Sequence, residues 1–253
     1  MRRRADPMRP LVLTDLDDTL FQTMPKCPPG MEGLRQMSSL LDGSPSGFAT
    51  PMQQHFLGWL RDGTVVPVTA RGRDVLARVA IEQAPAICSN GGCIVGDDGE
   101  IDRVWHDRLA GEALRVDPVA DVYRAIADPL CTVRFRHWMV EENGLDLYVV
   151  IKSNEHDDQA LAVLEQELAP HVPKDWRCHR NGNNLAYLPP WLSKRVAVRY
   201  LIDRARSEAP DRPVIGIGDS VSDVGFMDLC DFAVVPTRSQ LWAQVVDGNG
   251  WVD

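Results

Sequence analysis

The chain has 253 residues, with 27 Lys and Arg against 36 Asp and Glu, and a formal net charge of −9. This length can bury a full hydrophobic core in one domain or two. The negative charge argues against a nucleic-acid-binding surface, and no apolar run approaches the roughly 18 residues that a membrane span needs.

The first predicted elements alternate between strands and helices. Buried-strand patterns cover residues 11–14, 64–68 and 86–89. Helical patterns cover residues 51–60, with Thr50 as N-cap, and residues 74–82. The segment 22–50 lacks strong periodicity and is predicted to be a long loop, of the kind that often forms a lid or a binding loop. This alternation is typical of a parallel sheet.

A different pattern occupies residues 93 to 190. Strand-like runs at 132–140, 147–151 and 184–188 accompany an amphipathic helix at 157–168. The alternation then returns, with helices at 194–205, 221–229 and 240–245 and strands at 214–217 and 232–235. The sequence therefore predicts an α/β core that is split into residues 1–92 and 191–253, with an α+β module inserted at 93–190.

The cysteines and histidines do not indicate a metal site. Six cysteines, at positions 27, 88, 93, 131, 178 and 230, include no C-x-x-C pair, so we expect neither disulfides nor zinc. The six histidines show no metal-ligand spacing. The basic start MRRRADPMRP precedes an apolar stretch that contains Asp15 and Asp17, which a signal-peptide core would not contain, and we expect a cytoplasmic protein.

Polar clusters follow three of the predicted core strands. They are Asp15, Asp17, Asp18 and Thr19; Thr69 and Arg71; and Asp219 with Asp223. The carboxyl ends of strands in an open α/β sheet form the crevice in which ligands bind. Crowded carboxylates repel one another unless a cation compensates, and Mg²⁺ is the usual hard cation. Taken alone, however, the first cluster could equally be a solvated loop.

The ordered set of clusters is more specific than any one of them. Phosphoryl transfer through an aspartate needs a carboxylate nucleophile, a hard metal, donors for the phosphoryl oxygens and an acid for the leaving group. Each requirement has a matching residue type, and Lys194 adds a cation at the start of the helix after the module. The sequence therefore indicates a site for phosphoryl transfer.

The motifs resemble those of the haloacid dehalogenase superfamily of phosphatases. The similar segments are D-L-D-D-T-L at 15–20, T-A-R at 69–71, C-S-N-G-G at 88–92, S-K at 193–194 and G-D-S-V-S-D at 218–223. Their order resembles the branch that includes Cof-type sugar phosphatases and sucrose-phosphate phosphatase. That resemblance implies a Rossmann-like parallel-sheet core with an α+β cap between the second and third motifs. Ser222, where the branch usually has Asn, and Asp18, in place of a common Gly, depart from the pattern.

The resemblance also implies roles for single residues. Asp15 would be the nucleophile, and Asp17 would protonate the leaving oxygen and later deprotonate water. Thr69 and Lys194 would hold the phosphoryl group. The implied cofactor is Mg²⁺, bound by Asp15, the backbone carbonyl of Asp17 and Asp219, with Asp223 supporting Lys194 or the waters of the metal.

Further residues are candidates for contact with the substrate. They are Arg71, Asn90, Gly91, Arg180, Asn181 and Asn183. Asn90 could instead only form a turn, and Arg71 could pair with a helix acid.

The leading hypothesis is a Mg²⁺-dependent phosphatase of a small phosphorylated metabolite, such as a sugar or polyol phosphate, with the module as the cap that carries specificity. A phosphomutase on the same fold is the nearer alternative. A phospho-accepting signalling receiver and a binding protein without turnover are alternatives of other classes. We expect neither a nucleic acid nor a membrane as partner, and the sequence predicts no particular oligomeric state.

Overall fold

The structure is a computed structural model that describes residues 9–130, 132–180, 182–247 and 249. The chain divides into two compact units. The first unit comprises Met1–Asp102 and Lys194–Asp253, and the second comprises Arg103–Ser193.

Strands and helices alternate through the first unit, and the second unit has its own set. The strands are β1 (Leu11–Thr14), β2 (Arg35–Ser39), β3 (Pro45–Ala49), β4 (Thr64–Pro67), β5 (Ala86–Cys88), β6 (Cys93–Val95), β7 (Phe135–Glu142), β8 (Leu145–Ser153), β9 (Arg177–Arg180), β10 (Leu185–Leu188), β11 (Val214–Ile217) and β12 (Phe232–Val234). The helices are α1 (Pro51–Leu60), α2 (Arg73–Leu76), α3 (Arg103–Ala113), α4 (Val119–Ala127), α5 (Asp158–Leu168), α6 (Lys194–Glu208), α7 (Val221–Met227) and α8 (Gln240–Val246). No helix among these described residues is both long and apolar enough to cross a bilayer.

A parallel sheet of order β12-β11-β1-β4 forms the centre of the first unit. Strand β1 lies between β11 and β4, with Leu11 opposite both Val214 and Thr64. Every residue of β1 is buried, as expected for a parallel strand that is covered on both faces. The predicted α/β class with a parallel sheet is confirmed. Because β1, β4 and β11 run in the same direction, their carboxyl ends lie at one edge of the sheet.

The segment 22–50, which was predicted to be a loop, contains a β-hairpin. Strands β2 and β3 pair antiparallel, and Phe48 exchanges two backbone hydrogen bonds with Gln22 (3.0 and 2.7 Å). The predicted helix at 74–82 is wrong beyond Leu76, where α2 ends. The hairpin explains this difference, because the backbone N–H of Ala80 donates to the carbonyl of Met37 (2.7 Å) rather than to a helical carbonyl.

Helix α1 begins where the sequence predicts. The N–H of Gln53 donates to the hydroxyl of Thr50 (3.3 Å), and the N–H of Thr50 donates to the side chain of Gln53 (2.9 Å). This reciprocal pair is a capping box, and Pro51 occupies the first helical turn, where a missing N–H costs nothing.

The second unit has an antiparallel sheet of order β7-β8-β10-β9. Helices α4 and α5 pack on one face of it, through apolar residues that include Ile126, Leu161 and Ile151. Helices α3 and α4 and strand β9 were not predicted, although Val119, Val122 and Ile126 have helical spacing. The unit is therefore an inserted α+β structure. Its first residue is Arg103 rather than residue 93, because β6 pairs with β5 inside the first unit.

Candidate functional site

Three side chains from distant parts of the sequence meet at the carboxyl edge of the parallel sheet. Lys194, the first residue of α6, donates from Nζ to Oδ1 of Asp15 and to Oδ1 of Asp223, each at 2.9 Å. Asp15 follows β1 directly, and Asp223 lies in the first turn of α7. Both acids are buried, at 7% and 1% exposure. One ammonium group thus stabilises two buried carboxylates.

Burial dominates the electrostatics of this group. Burial raises the pKa of Asp15 to about 8; the Lys194 charge opposes this rise, and the Asp223 charge adds to it. Burial alone would lower the pKa of Lys194, but the charges of both acids raise it above its usual value. Lys194 therefore stays protonated, while Asp15 resists ionisation unless a further cation is present.

Asp219 completes a cluster of three acids. One carboxylate oxygen from each of Asp15, Asp219 and Asp223 lies within 4.8 Å of the others. The hydroxyl of Thr19 donates to Oδ1 of Asp219 (3.1 Å). Burial, followed by the charges of Asp223 and Asp18, raises the pKa of Asp219 to about 6.

The turn before α7 fixes the position of Asp223. Oδ2 of Asp223 accepts hydrogen bonds from the hydroxyl (2.8 Å) and the N–H (3.2 Å) of Ser220, and Oδ1 accepts from Lys194. Gly218 has no room for a side chain, because a Cβ there would lie 2.5 Å from Cβ of Asp223. Both oxygens of Asp223 are thus already engaged by the protein.

Asp17 has a different environment from Asp15. Arg71 donates from Nε to Oδ2 (2.8 Å) and from Nη2 to Oδ1 (2.7 Å) of Asp17, in a bidentate ion pair. The side chain of Asp17 is 51% exposed and that of Arg71 only 19%. The adjacent Asp18, with a positive φ of 61°, pairs separately with Lys26.

The turn after β4 contacts the turn after β5 through the backbone. The N–H of Arg71 donates to the hydroxyl of Thr69 (3.1 Å), and the N–H of Asn90 donates to the carbonyl of Thr69 (3.0 Å). Asn90 and Gly91 have φ values of 58° and 96°, so the turn after β5 uses left-handed backbone. The structure therefore places Asn90 beside Thr69.

The candidates in the second unit are engaged within that unit. Arg180 donates to Glu165 (2.9 Å) and Asp158 (3.1 Å) on α5. The side chain of Asn183 exchanges hydrogen bonds with the backbone of Ser153, both at 2.9 Å. Their contact with substrate stays a prediction, and Asn181 lies outside the described residues.

Sequence reasoning assigned no role to several supporting residues. Thr19 and Ser220 hold acids of the cluster, and Lys26 pairs with Asp18. Thr19 belongs to the first polar cluster of the sequence, and for Ser220 a signal was present, because Ser-x-x-Asp is close to the capping-box pattern. Lys26 had no comparable signal.

Comparison with known proteins extends this description. No protein-family model matches the chain, and no curated protein matches it. Among solved structures, the sucrose-phosphatase of Synechocystis sp. PCC6803, determined with sucrose and phosphate, is similar with a TM-score of 0.56 and 18% identity, over 97% of this chain and 90% of that one. A Eubacterium rectale protein has a TM-score of 0.53 and 12% identity, over 95% and 91% of the two chains.

A third structure, protein 0175 of Thermoplasma acidophilum, has a TM-score of 0.50 and 15% identity, over 94% of this chain and 89% of that one. At these identities the likeness concerns the fold. The chain shares the α/β fold of these solved structures, one of which is a sucrose-phosphatase, as the resemblance of its motifs implied.

Proposed function

We propose that the chain is a Mg²⁺-dependent phosphatase that hydrolyses a small phosphorylated metabolite through an aspartyl phosphate on Asp15. The arrangement of Asp15 is the observation that carries this proposal. Lys194 engages its Oδ1, and no described residue donates a hydrogen bond to its Oδ2. A buried carboxylate that is oriented through one oxygen presents the other to a substrate.

The donor set supports Mg²⁺ as the cofactor. The three clustered acids and Lys194 together carry a formal charge of −2, which a hard divalent cation would balance. Both oxygens of Asp223 are already bonded, so Asp15, Asp219 and the backbone carbonyl of Asp17 would hold the cation, while Asp223 positions Lys194. When bound, the cation would neutralise the crowded carboxylates and the incoming phosphate.

The reaction then has two steps. Asp17 enters the first step carrying a proton taken up from solvent. Oδ2 of Asp15 attacks phosphorus, the bond between phosphorus and the ester oxygen breaks, and that oxygen takes the proton from Asp17. A water molecule next attacks phosphorus and gives a proton to the Asp17 carboxylate, and the bond between phosphorus and Oδ2 breaks, so inorganic phosphate leaves and the Asp15 carboxylate is restored. Lys194 and the hydroxyl of Thr69 hold phosphoryl oxygens during both steps.

Two observations support a small sugar or polyol phosphate as the substrate: the likeness in fold and the presence of the inserted unit. The similar Synechocystis protein is a sucrose-phosphatase. In this chain the inserted α+β unit would act as the cap that selects a sugar or polyol phosphate, because all the acids of the reaction lie in the first unit.

Release of inorganic phosphate tests the proposal directly. Purified protein with Mg²⁺ is given an aryl phosphate and a panel of sugar and polyol phosphates, and many turnovers per molecule are expected. At most one equivalent would indicate a phospho-accepting receiver, and none would indicate a binding protein. Transfer to a second hydroxyl of the sugar rather than to water would identify a mutase. Asp15→Asn protein is the control for a contaminating phosphatase.

A further inference from the structure

The bidentate pair between Arg71 and Asp17 conflicts with the proton transfer that the proposed function requires. Both carboxylate oxygens of Asp17 accept hydrogen bonds from one guanidinium group, at 2.8 and 2.7 Å. A carboxyl group that transfers a proton to a leaving oxygen needs one of these oxygens to face that leaving group. The observed pair must therefore open, at least at one oxygen, before the first step is completed.

Arg71 is well placed to change its partner. Its guanidinium carbon lies 5.4 Å from the ring centre of Phe21, which is fully buried, so the side chain rests on a rigid surface. Its backbone N–H is bonded to the hydroxyl of Thr69, which the proposed reaction uses to hold phosphate. The charge of Asp15 also acts on it, and together with the contacts from Asp17 it raises the pKa of Arg71 despite burial.

The chemistry of the two possible partners is alike. A guanidinium group binds a carboxylate and a phosphate through the same pair of parallel hydrogen bonds. A phosphate dianion carries more charge than a carboxylate. In addition, the side chain of Asp17 is half exposed, so water can replace the contacts that it loses, and breaking the pair costs about as much as one charged hydrogen bond.

We propose that Arg71 is a partner-exchanging residue: it holds Asp17 when the site lacks an anion, and moves to the phosphoryl oxygens when a phosphate monoester binds. The exchange frees an oxygen of Asp17, which can then take up a proton from solvent and pass it to the leaving oxygen, only when there is substrate to protonate. This inference rests on the proposed function and adds a positioning role for Arg71 to it.

The experiment measures the affinity for inorganic phosphate by calorimetry, in the presence of Mg²⁺. Wild-type protein is compared with Asp17→Asn, Arg71→Gln, and the variant that carries both substitutions. Since Asp17 competes with phosphate for Arg71, Asp17→Asn is expected to bind phosphate about tenfold more tightly, the size of one charged hydrogen bond. Arg71→Gln is expected to bind phosphate about tenfold more weakly. In the Arg71→Gln background, Asp17→Asn should increase the phosphate affinity only slightly.

Asp18→Asn is the matched control for the simple removal of a negative charge. Asp18 is adjacent to Asp17 but pairs with Lys26 rather than with Arg71. Its substitution should therefore change phosphate affinity much less than Asp17→Asn does. Arg71→Lys keeps the positive charge but cannot donate two parallel hydrogen bonds, so its phosphate affinity should lie between those of wild type and Arg71→Gln. This variant also serves if Arg71→Gln does not fold.

Two outcomes would overturn the inference in distinguishable ways. If Asp17→Asn strengthened phosphate binding equally with and without Arg71, the pair would be a fixed one and Arg71 would not exchange partners. The proposed phosphatase function would survive that result. If no variant and no wild-type protein bound phosphate, the proposed function would fail, and the exchange of partners would fail with it.

Discussion

Lys194 follows Asp15 by 179 residues in the chain, yet its ammonium group lies 2.9 Å from Oδ1 of Asp15. The same group lies 2.9 Å from Oδ1 of Asp223. One ammonium group here offsets part of the cost of burying two carboxyl groups. Lys194 therefore connects the stability of the first unit with its chemistry.

Replacing Lys194 should affect both properties. Lys194→Met leaves two buried carboxylates without their cation, so the free energy of unfolding is expected to fall by about 3–5 kcal/mol. Phosphate release should fall by at least about 10²-fold, as on removal of one preorganised donor. Urea denaturation and a turnover assay measure these effects. The matched control is Arg195→Met, since Arg195 forms a solvent-exposed pair with Asp228. If both variants lost the same stability, Lys194 would not have the role assigned to it.

The two acids that follow β1 should have separable functions. Asp15→Asn replaces the proposed nucleophile by a neutral amide and should abolish formation of a phosphoenzyme. Asp17→Asn should slow both steps by about 10² to 10⁴-fold. With an activated aryl phosphate, whose leaving group needs little protonation, the first step recovers and phosphoenzyme accumulates. Quenching followed by intact-mass analysis detects the added phosphoryl group. Its presence on Asp15→Asn protein would rule out Asp15 as nucleophile.

The acids of the cluster should differ in their importance for the metal. Asp219→Ala removes a proposed ligand, whereas Asp223→Ala removes a residue whose oxygens are bonded to Lys194 and Ser220. The Mg²⁺ concentration for half-maximal activity should therefore rise more in Asp219→Ala than in Asp223→Ala. Excess chelator should abolish activity of the wild type. Equal Mg²⁺ dependence in the two variants would contradict the assignment, and full activity in chelator would contradict the cofactor.

The raised pKa values predict how stability depends on pH and Mg²⁺. Asp15 and Asp219 have pKa values raised to about 8 and about 6, so the folded protein binds their protons more tightly than the unfolded chain does. Their contribution to stability is full below about pH 4 and is lost as the pH rises through 6 and then 8. Because Mg²⁺ binds the ionised acids, it should raise the unfolding temperature more at about pH 8.5 than at about pH 5. Calorimetry with Mg²⁺ or chelator measures this; an equal shift at both pH values would refute it.

The inserted unit should determine selectivity rather than chemistry. Replacement of Arg103–Ser193 by a short linker leaves every acid of the cluster in place. The rate of aryl phosphate cleavage should then fall by a smaller factor than the ratios between the rates on different sugar and polyol phosphates. Circular dichroism establishes whether the shortened protein folds, and rates on the substrate panel give the preference. An unchanged preference would show that the second unit is not a specificity cap.

The sequence was informative where a local pattern decides the structure. The apolar run at β1, followed by acids, predicts a buried strand with a polar end, and Thr50 with Pro51 predicts the start of α1. It was not informative for the hairpin, because β2 and β3 contain Ser, Gly and Pro and little alternation. The helix predicted at 74–82 ends early because of this hairpin, in which the carbonyl of Met37 accepts the backbone N–H of Ala80.

In the candidate site, too, the sequence predicts some features and not others. Motif spacing places Asp15, Lys194 and Asp223 at strand ends and helix starts, and a parallel sheet brings such positions to one edge. The pairing of Arg71 with Asp17 could not be read in this way. It depends on side-chain rotamers and on the surface of Phe21, which a sequence pattern does not specify.

The central position of β1 has a consequence for synthesis on the ribosome. One neighbour of β1 is β11, and the contact between Thr19 and Asp219 spans 200 residues of chain. The sheet β7-β8-β10-β9, in contrast, is complete within the second unit. Since local pairings form before distant ones, the emerging chain can fold the inserted unit while β1 is paired only with β4 and still lacks β11. The second edge of β1, the strand that Asp15 follows, thus stays unpaired until β11 has been made, and the contacts of Lys194 with Asp15 and Asp223 can form only after the start of α7 has been made.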